Sequence, residues 1–135
     1  MLKAIRLQRV KFMPKTLETG ILYVSEKYGT AAHLCACGCG AKIRTPIGPT
    51  DWKFENTSSG PTLFPSIGNW QQACRSHYWI RCGKIVPSPD WTDGEIELGR
   101  AAELKRDRAY YEALPGKRQR MHERLWNWLT TKLGK

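Results

Sequence analysis

Three cysteines at alternate positions, Cys35, Cys37 and Cys39, stand in the run His33-Leu-Cys-Ala-Cys-Gly-Cys-Gly40, and Cys74-Arg-Ser-His77 answers them from farther along the chain. The spacing is that of metal ligands. Thiolates bind zinc strongly, glycines let the backbone fold sharply around an ion, and a Cys-x-x-His pair can complete a tetrahedron from a second segment. Cysteines alternating this closely do not readily pair with one another as disulfides. One zinc ion per chain is expected. The residues able to ligate it are His33, Cys35, Cys37, Cys39, Cys74 and His77. Spacing alone favours Cys37, Cys39, Cys74 and His77, with Cys35 the nearest substitute. Cys82 stands apart and reads as a small buried hydrophobe.

The number of protein ligands decides the chemistry. Four close the site and make it structural. Three leave a position for water, whose pKa falls toward neutrality on the ion, and the centre becomes hydrolytic. A hydrolytic zinc also needs a carboxylate to take the proton from the attacking water. Glu18 and Glu26, which flank the apolar run at 20–25, are the candidates for that base, while Asp51 before Trp52 reads as a turn residue. Asn69, Ser76 and Tyr78 could donate hydrogen bonds to a developing oxyanion. Ser76 lies inside the Cys74–His77 pair, a position that favours a bond to the backbone or a thiolate over the oxyanion role. Trp70, Tyr78 and Trp79 could wall a substrate cleft.

The elements that would position these residues are mostly strands. Gly20-Ile-Leu-Tyr-Val-Ser25 and Thr30-Ala-Ala-His-Leu-Cys35 read as a pair joined by a turn at 26–29. Residues 41–45 continue as a strand. Trp52–Glu55 and Thr62–Phe64 flank Asn56-Thr-Ser-Ser-Gly60, a hairpin signal, after which Pro65-Ser-Ile-Gly-Asn-Trp70 reads as a loop. Residues 77–80 and 84–86 form the last strands. The period then changes. Thr92 or Asp93 can cap a helix whose first turn carries Glu95 and Glu97, and Pro115-Gly116 stops it. Met121, Leu125, Trp128, Leu129 and Leu133 then form the apolar stripe of a second helix. The expected architecture is α+β: a β-rich zinc-binding domain at 1–86, a linker at 87–91 and a helical hairpin within 92–135.

The formal charge of +10 raises the question of nucleic acid, but the excess is dispersed: residues 1–94 hold 12 basic against 6 acidic side chains, and 95–135 hold 10 against 6. No polybasic block or basic-aromatic repeat concentrates it, so nucleic-acid binding is not favoured. No apolar run approaches the roughly 18 residues of a membrane span. The first ten residues alternate apolar and basic types as an edge strand would, without the apolar core of a signal peptide. Together with the free thiols this predicts a cytoplasmic protein.

Long phrases of the chain resemble a small bacterial family catalogued as a domain of unknown function. They are Gly20-Ile-Leu-Tyr-Val-Ser, Gly29-Thr-Ala-Ala-His-Leu-Cys-Ala-Cys-Gly-Cys-Gly, Thr45-Pro-Ile-Gly-Pro-Thr-Asp-Trp, Phe64-Pro-Ser-Ile-Gly-Asn-Trp and Cys74-Arg-Ser-His-Tyr-Trp-Ile. The resemblance covers roughly 17–86. Genes of that family lie beside genes for ubiquitin-like, activating-enzyme-like and conjugating-enzyme-like proteins in antiphage operons, so these proteins are the partners it implies. It also implies a zinc-dependent peptidase that trims or releases the ubiquitin-like protein, with Cys35, Cys37, Cys39, Cys74 and His77 as the metal-site pool. The helical segment departs from the family pattern. The alternative is a non-catalytic zinc module that binds a protein or nucleic-acid partner, and four saturated ligands without a cleft would favour it.

Overall fold

The computed structural model describes residues 1–115 and 124–130. The chain divides into two units, Met1–Thr92 and Asp93–Lys135. The first holds eight strands in two sheets. Sheet one comprises β1 (Arg6–Arg9), β2 (Ile21–Ser25), β3 (Thr30–Leu34) and β4 (Lys42–Pro46), in that spatial order. Sheet two comprises β5 (Lys53–Thr57), β6 (Gly60–Gly68), β7 (His77–Arg81) and β8 (Lys84–Pro87), again in chain order. All pairings are antiparallel except β1 with β2.

One core joins the sheets. Leu22 and Val24 of β2, Ala31 of β3 and Ile43 of β4 pack with Leu63 and Ile67 of β6, Tyr78 and Ile80 of β7 and Ile85 of β8. Leu22, Val24, Leu63 and Ile80 lose all solvent contact, and burying a side chain of this size contributes on the order of 1.5–3 kcal/mol. β4 shows the period-two pattern of a half-buried strand, with Ile43 and Thr45 inside and Lys42 and Arg44 outside. β2 is buried on both faces. Its outer side chains, Ile21 and Tyr23, are covered by Leu17, Val10 and Met13 from the crossover that makes the parallel connection.

The strand readings at 20–25, 30–35 and 41–45 match β2, β3 and β4. The loop reading at 65–70 does not hold, because β6 runs on to Gly68. Pro65 and Gly68 look like strand breakers in isolation, but β7 supplies the pairing. Between the pairs Leu63–Ile80 and Ile67–Tyr78, β6 advances four residues while β7 advances two, so residues 64–66 form a bulge. Such a bulge accommodates the missing N–H of proline and re-aims neighbouring side chains.

The β5–β6 and β7–β8 turns touch through glycines. A Cβ on Gly60 would stand 2.6 Å from the Cα of Gly83, and both glycines have positive φ, 133° and 75°. Gly60→Ala should therefore destabilise the first unit by roughly 1–3 kcal/mol in a urea titration, through backbone contact and conformational strain together. A midpoint within error of the parent would refute this.

In the second unit α1 spans Asp93–Ala113, with Asp93 and Glu95 in its first turn where carboxylates oppose the helix dipole. Residues 124–130 are also helical. Of the proposed stripe, Leu125, Trp128 and Leu129 are exposed, and Met121 and Leu133 lie outside the described residues. No described helix is long and apolar enough to cross a membrane.

Candidate active site and thiol cluster

The loop from β3 to β4 carries Cys35, Cys37 and Cys39, and the loop before β7 carries Cys74. Gly38 and Gly40 adopt φ of 92° and 84°, which lets the first loop turn back within a few residues, and Cys35 N–H closes it by donating to Ala41 O at 2.8 Å. The four sulfurs lie within 4.8 Å of one another. Sulfurs at the corners of a tetrahedron about 2.3 Å from zinc stand about 3.8 Å apart. The Cys35–Cys74 separation is 3.8 Å and the Cys35–Cys37 separation 3.4 Å, far longer than a disulfide bond. All five cysteines are free. Cys82 is exposed rather than buried, and its backbone occupies the left-handed region at the β7–β8 turn.

The chemistry of the donor set fits a metal ion. Ser76 holds the Cys74 thiol down at about 6, whereas desolvation and the Cys35 thiol push Cys37 up to about 12. Without a cation the cluster thus favours one thiolate and resists the next. Around it lies a polar layer. Asn69 donates to Ser76 Oγ at 2.9 Å, and the Ser76 hydroxyl lies between Cys35 Sγ at 3.0 Å and Cys74 Sγ at 3.4 Å. Cys39 N–H reaches Cys37 Sγ at 3.4 Å. Donors of this kind orient ligating sulfurs and spread their charge.

His33 is not among the four clustered ligands. Its Nε2 lies 2.6 Å from Tyr78 Oη, and burial lowers its pKa to about 4, so the ring is neutral near pH 7. Tyr78 Oη also accepts from Ala36 N–H at 3.3 Å. Among the described residues His33 Nδ1 has no hydrogen-bond partner. Tyr78→Phe would leave the buried imidazole with neither nitrogen satisfied. It should cost roughly 1–3 kcal/mol of stability, measured by thermal or urea unfolding. An unchanged midpoint would show that the hydroxyl is dispensable.

His77 is turned away from the thiols. Adjacent residues of a strand point to opposite faces: Ser76 and Tyr78 face the sulfurs and the core, while His77 and Trp79 face outward. On that outer face His77 Nε2 lies 2.8 Å from Ser66 Oγ, and Nδ1 lies 2.8 Å from Pro89 O. Ser66 sits on the β6 bulge, and its own carbonyl accepts the Trp52 indole N–H at 3.3 Å. Gly68, the partner of His77 across the sheet, has no side chain to obstruct Trp70; a Cβ there would meet the Trp70 indole at 2.5 Å. Trp70 and Trp91 cover the imidazole edge-on, with ring centroids 4.9 and 5.2 Å away, and leave His77 only 5 % exposed. Segment 87–91, expected as a linker, therefore supplies both Pro89 O and the Trp91 ring to His77.

The remaining candidates lie elsewhere. Glu26 is exposed in the turn after β2 and pairs with Arg9 at 2.8 Å. Glu18 is exposed, and its backbone N–H donates to Tyr23 Oη. Neither belongs to the group of residues converging on the thiols. The sequence reading missed Ser66, which lies in the Phe64-Pro-Ser-Ile-Gly-Asn-Trp phrase. Spacing alone places its partner His77 among the metal ligands.

Residues 9–88 match a family model described as bacterial ubiquitination-like system serine protease (BubE). No curated protein and no solved structure matches the chain. The ubiquitination-like setting agrees with the resemblance drawn from the motifs. The described activity overturns the expected zinc metallopeptidase, because the nucleophile of a serine protease is a side-chain hydroxyl and not a metal-bound water. Glu18 and Glu26 thereby lose the task for which they were singled out. The metallopeptidase expectation rests on what the resemblance implies, whereas the Cys-x-x-His spacing accounts only for His77 being placed among the ligands, since strand alternation turns it to the other face.

Proposed function

The chain belongs to the bacterial ubiquitination-like system serine protease family, and on that premise we propose a serine peptidase in which Ser66 is the nucleophile and His77 the general base. The observation that carries this reading is the chain of contacts Ser66 Oγ–His77 Nε2–His77 Nδ1–Pro89 O, both links at 2.8 Å. A carbonyl oxygen only accepts, so it selects the tautomer with the proton on Nδ1. That leaves the Nε2 lone pair aimed at the serine hydroxyl. Ser66 Oγ attacks the scissile carbonyl as Nε2 takes its proton. His77 then returns that proton to the departing amine, and an acyl-serine ester remains for water to hydrolyse by the same route. The neutral Pro89 carbonyl orients the imidazole but stabilises the imidazolium less than a carboxylate would.

The substrate class proposed is the ubiquitin-like protein of the same system, cut within its C-terminal region. Cys35, Cys37, Cys39 and Cys74 would hold a zinc ion, as a closed structural site without an open position for water. Ser76 and Asn69 face the sulfurs and would support that site rather than an oxyanion. The zinc would tie the loop before β7 to the loop after β3, fixing the start of the strand that presents His77. A fluorophosphonate probe tests the nucleophile directly. It should label Ser66 in the native protein and not after urea unfolding, with the adduct located by mass spectrometry. Absence of a Ser66 adduct would refute the assignment.

A further inference from the structure

The outer face of sheet two continues past the proposed dyad as an apolar strip. Phe64 lies two residues before Ser66 on β6, and Trp79 two residues after His77 on β7. The two rings meet across the strands with centroids 5.9 Å apart, as the Ser66 and His77 polar groups do at 2.8 Å. Val86, the partner of Trp79 on β8, extends the strip to the sheet edge. Phe64 is 58 % exposed and Val86 39 %. Neither belongs to the shared core, and with Trp79 they make a contiguous apolar surface rather than isolated exposed residues. The opposite approach to His77 is walled by Trp70 and Trp91, whose rings stack at 5.8 Å. The strip is therefore an exposed apolar surface that adjoins Ser66 on the side away from those two rings.

Its surroundings are basic. The Arg81 guanidinium lies 4.2 Å from the Trp79 ring centroid, Lys84 pairs with Arg81 across the turn, and Lys53 pairs with Phe64 on β5. Of the residues in these two cross-strand rows only Glu55 is acidic.

We infer that Phe64, Trp79 and Val86 form a substrate subsite that takes one large apolar side chain of an extended polypeptide, close to the scissile bond and beside an acidic residue. This deepens the serine-peptidase reading and rests on it. Continuity with the nucleophile sets the position. The exposed aromatic pair sets the apolar preference, and the flanking cations set the charge of the neighbouring residue.

The test uses the full chain and internally quenched octapeptide libraries, each with one position fixed as Leu, Ala, Glu or Lys. The unaltered protein should prefer Leu over Ala at one position near the cut by at least about tenfold in kcat/KM, the scale at which an apolar pocket discriminates. Phe64→Ala should reduce that ratio to about twofold or less. Phe64→Lys should move the preference at the same position toward Glu, a gain that a damaged fold does not produce. Cleavage with the Leu/Ala ratio unchanged in both variants would overturn the subsite and leave the dyad standing. Fluorophosphonate labelling of Ser66 without cleavage of any library would likewise overturn the subsite. Absence of labelling in the unaltered protein would overturn the serine-peptidase reading and the subsite with it.

Discussion

Ser66→Ala is expected to abolish proteolysis, lowering kcat by on the order of 10⁴–10⁶-fold while the protein still folds cooperatively. The magnitude follows from the role. Without the hydroxyl no acyl-enzyme forms, and what remains is whatever binding and oriented water contribute. The fold should survive, because Ser66 lies on the outer face of β6 outside the shared core; the cost is a His77 Nε2 left without its partner, about 1–3 kcal/mol. His77→Ala should cost a similar factor, and the double variant little more than either single one, since the two residues act as a unit. Release of a C-terminal extension from the system's ubiquitin-like protein, followed by mass spectrometry, is the assay. Full activity in Ser66→Ala would remove Ser66 as the nucleophile.

The sheets and the dyad differ in how far a sequence can reveal them, and the difference is one of range. β2, β3 and β4 are local objects. Ile21–Ser25 is a short β-branched and aromatic run, and Lys42–Pro46 alternates faces, so each announces itself within five residues. The thiol cluster is nearly as local, because three of its four members alternate within one tight loop. The extension of β6 beyond Phe64 is not local. Pro65 and Gly68 argue against a strand, and only pairing with β7 through a bulge overrides them. Ser66 and His77 meet because of that register, and a register is a tertiary fact. The same holds for Pro89, whose carbonyl matters to His77 through where the chain passes and not through its side chain. Ser76 shows the limit from the other side: its spacing between Cys74 and His77 pointed to the thiols, and it does face them, but its neighbour cannot share that face.

Removing a metal ion held by the four thiols is expected to unfold the first unit. Cys35 is 1 % exposed and packs directly in the shared core, so the thiol loop is continuous with the hydrophobic interior and not an appendage. Binding free energies of structural zinc sites reach about 10–16 kcal/mol near pH 7, comparable to or greater than the whole stability of a domain this small. Cys35→Ala or Cys74→Ala should accordingly give protein with sub-stoichiometric zinc and no cooperative melting transition, by elemental analysis and circular dichroism. Acid should act in the same direction, since protons compete with the ion for each thiolate: stability rises with pH while metal is being taken up and falls as pH is lowered. A chelator would then stop proteolysis whether the zinc is structural or catalytic, so loss of activity alone does not separate the two. Cadmium does. It is tetrahedral and thiophilic, so a Cd²⁺-loaded protein should fold and cleave at close to the zinc-loaded rate if the ion only braces the loop ahead of β7. A cadmium form that is folded, binds substrate and labels at Ser66 yet cleaves at less than about a hundredth of the zinc rate would place the ion in the chemistry. It would also require an open coordination position, which a site closed by four thiolates does not have.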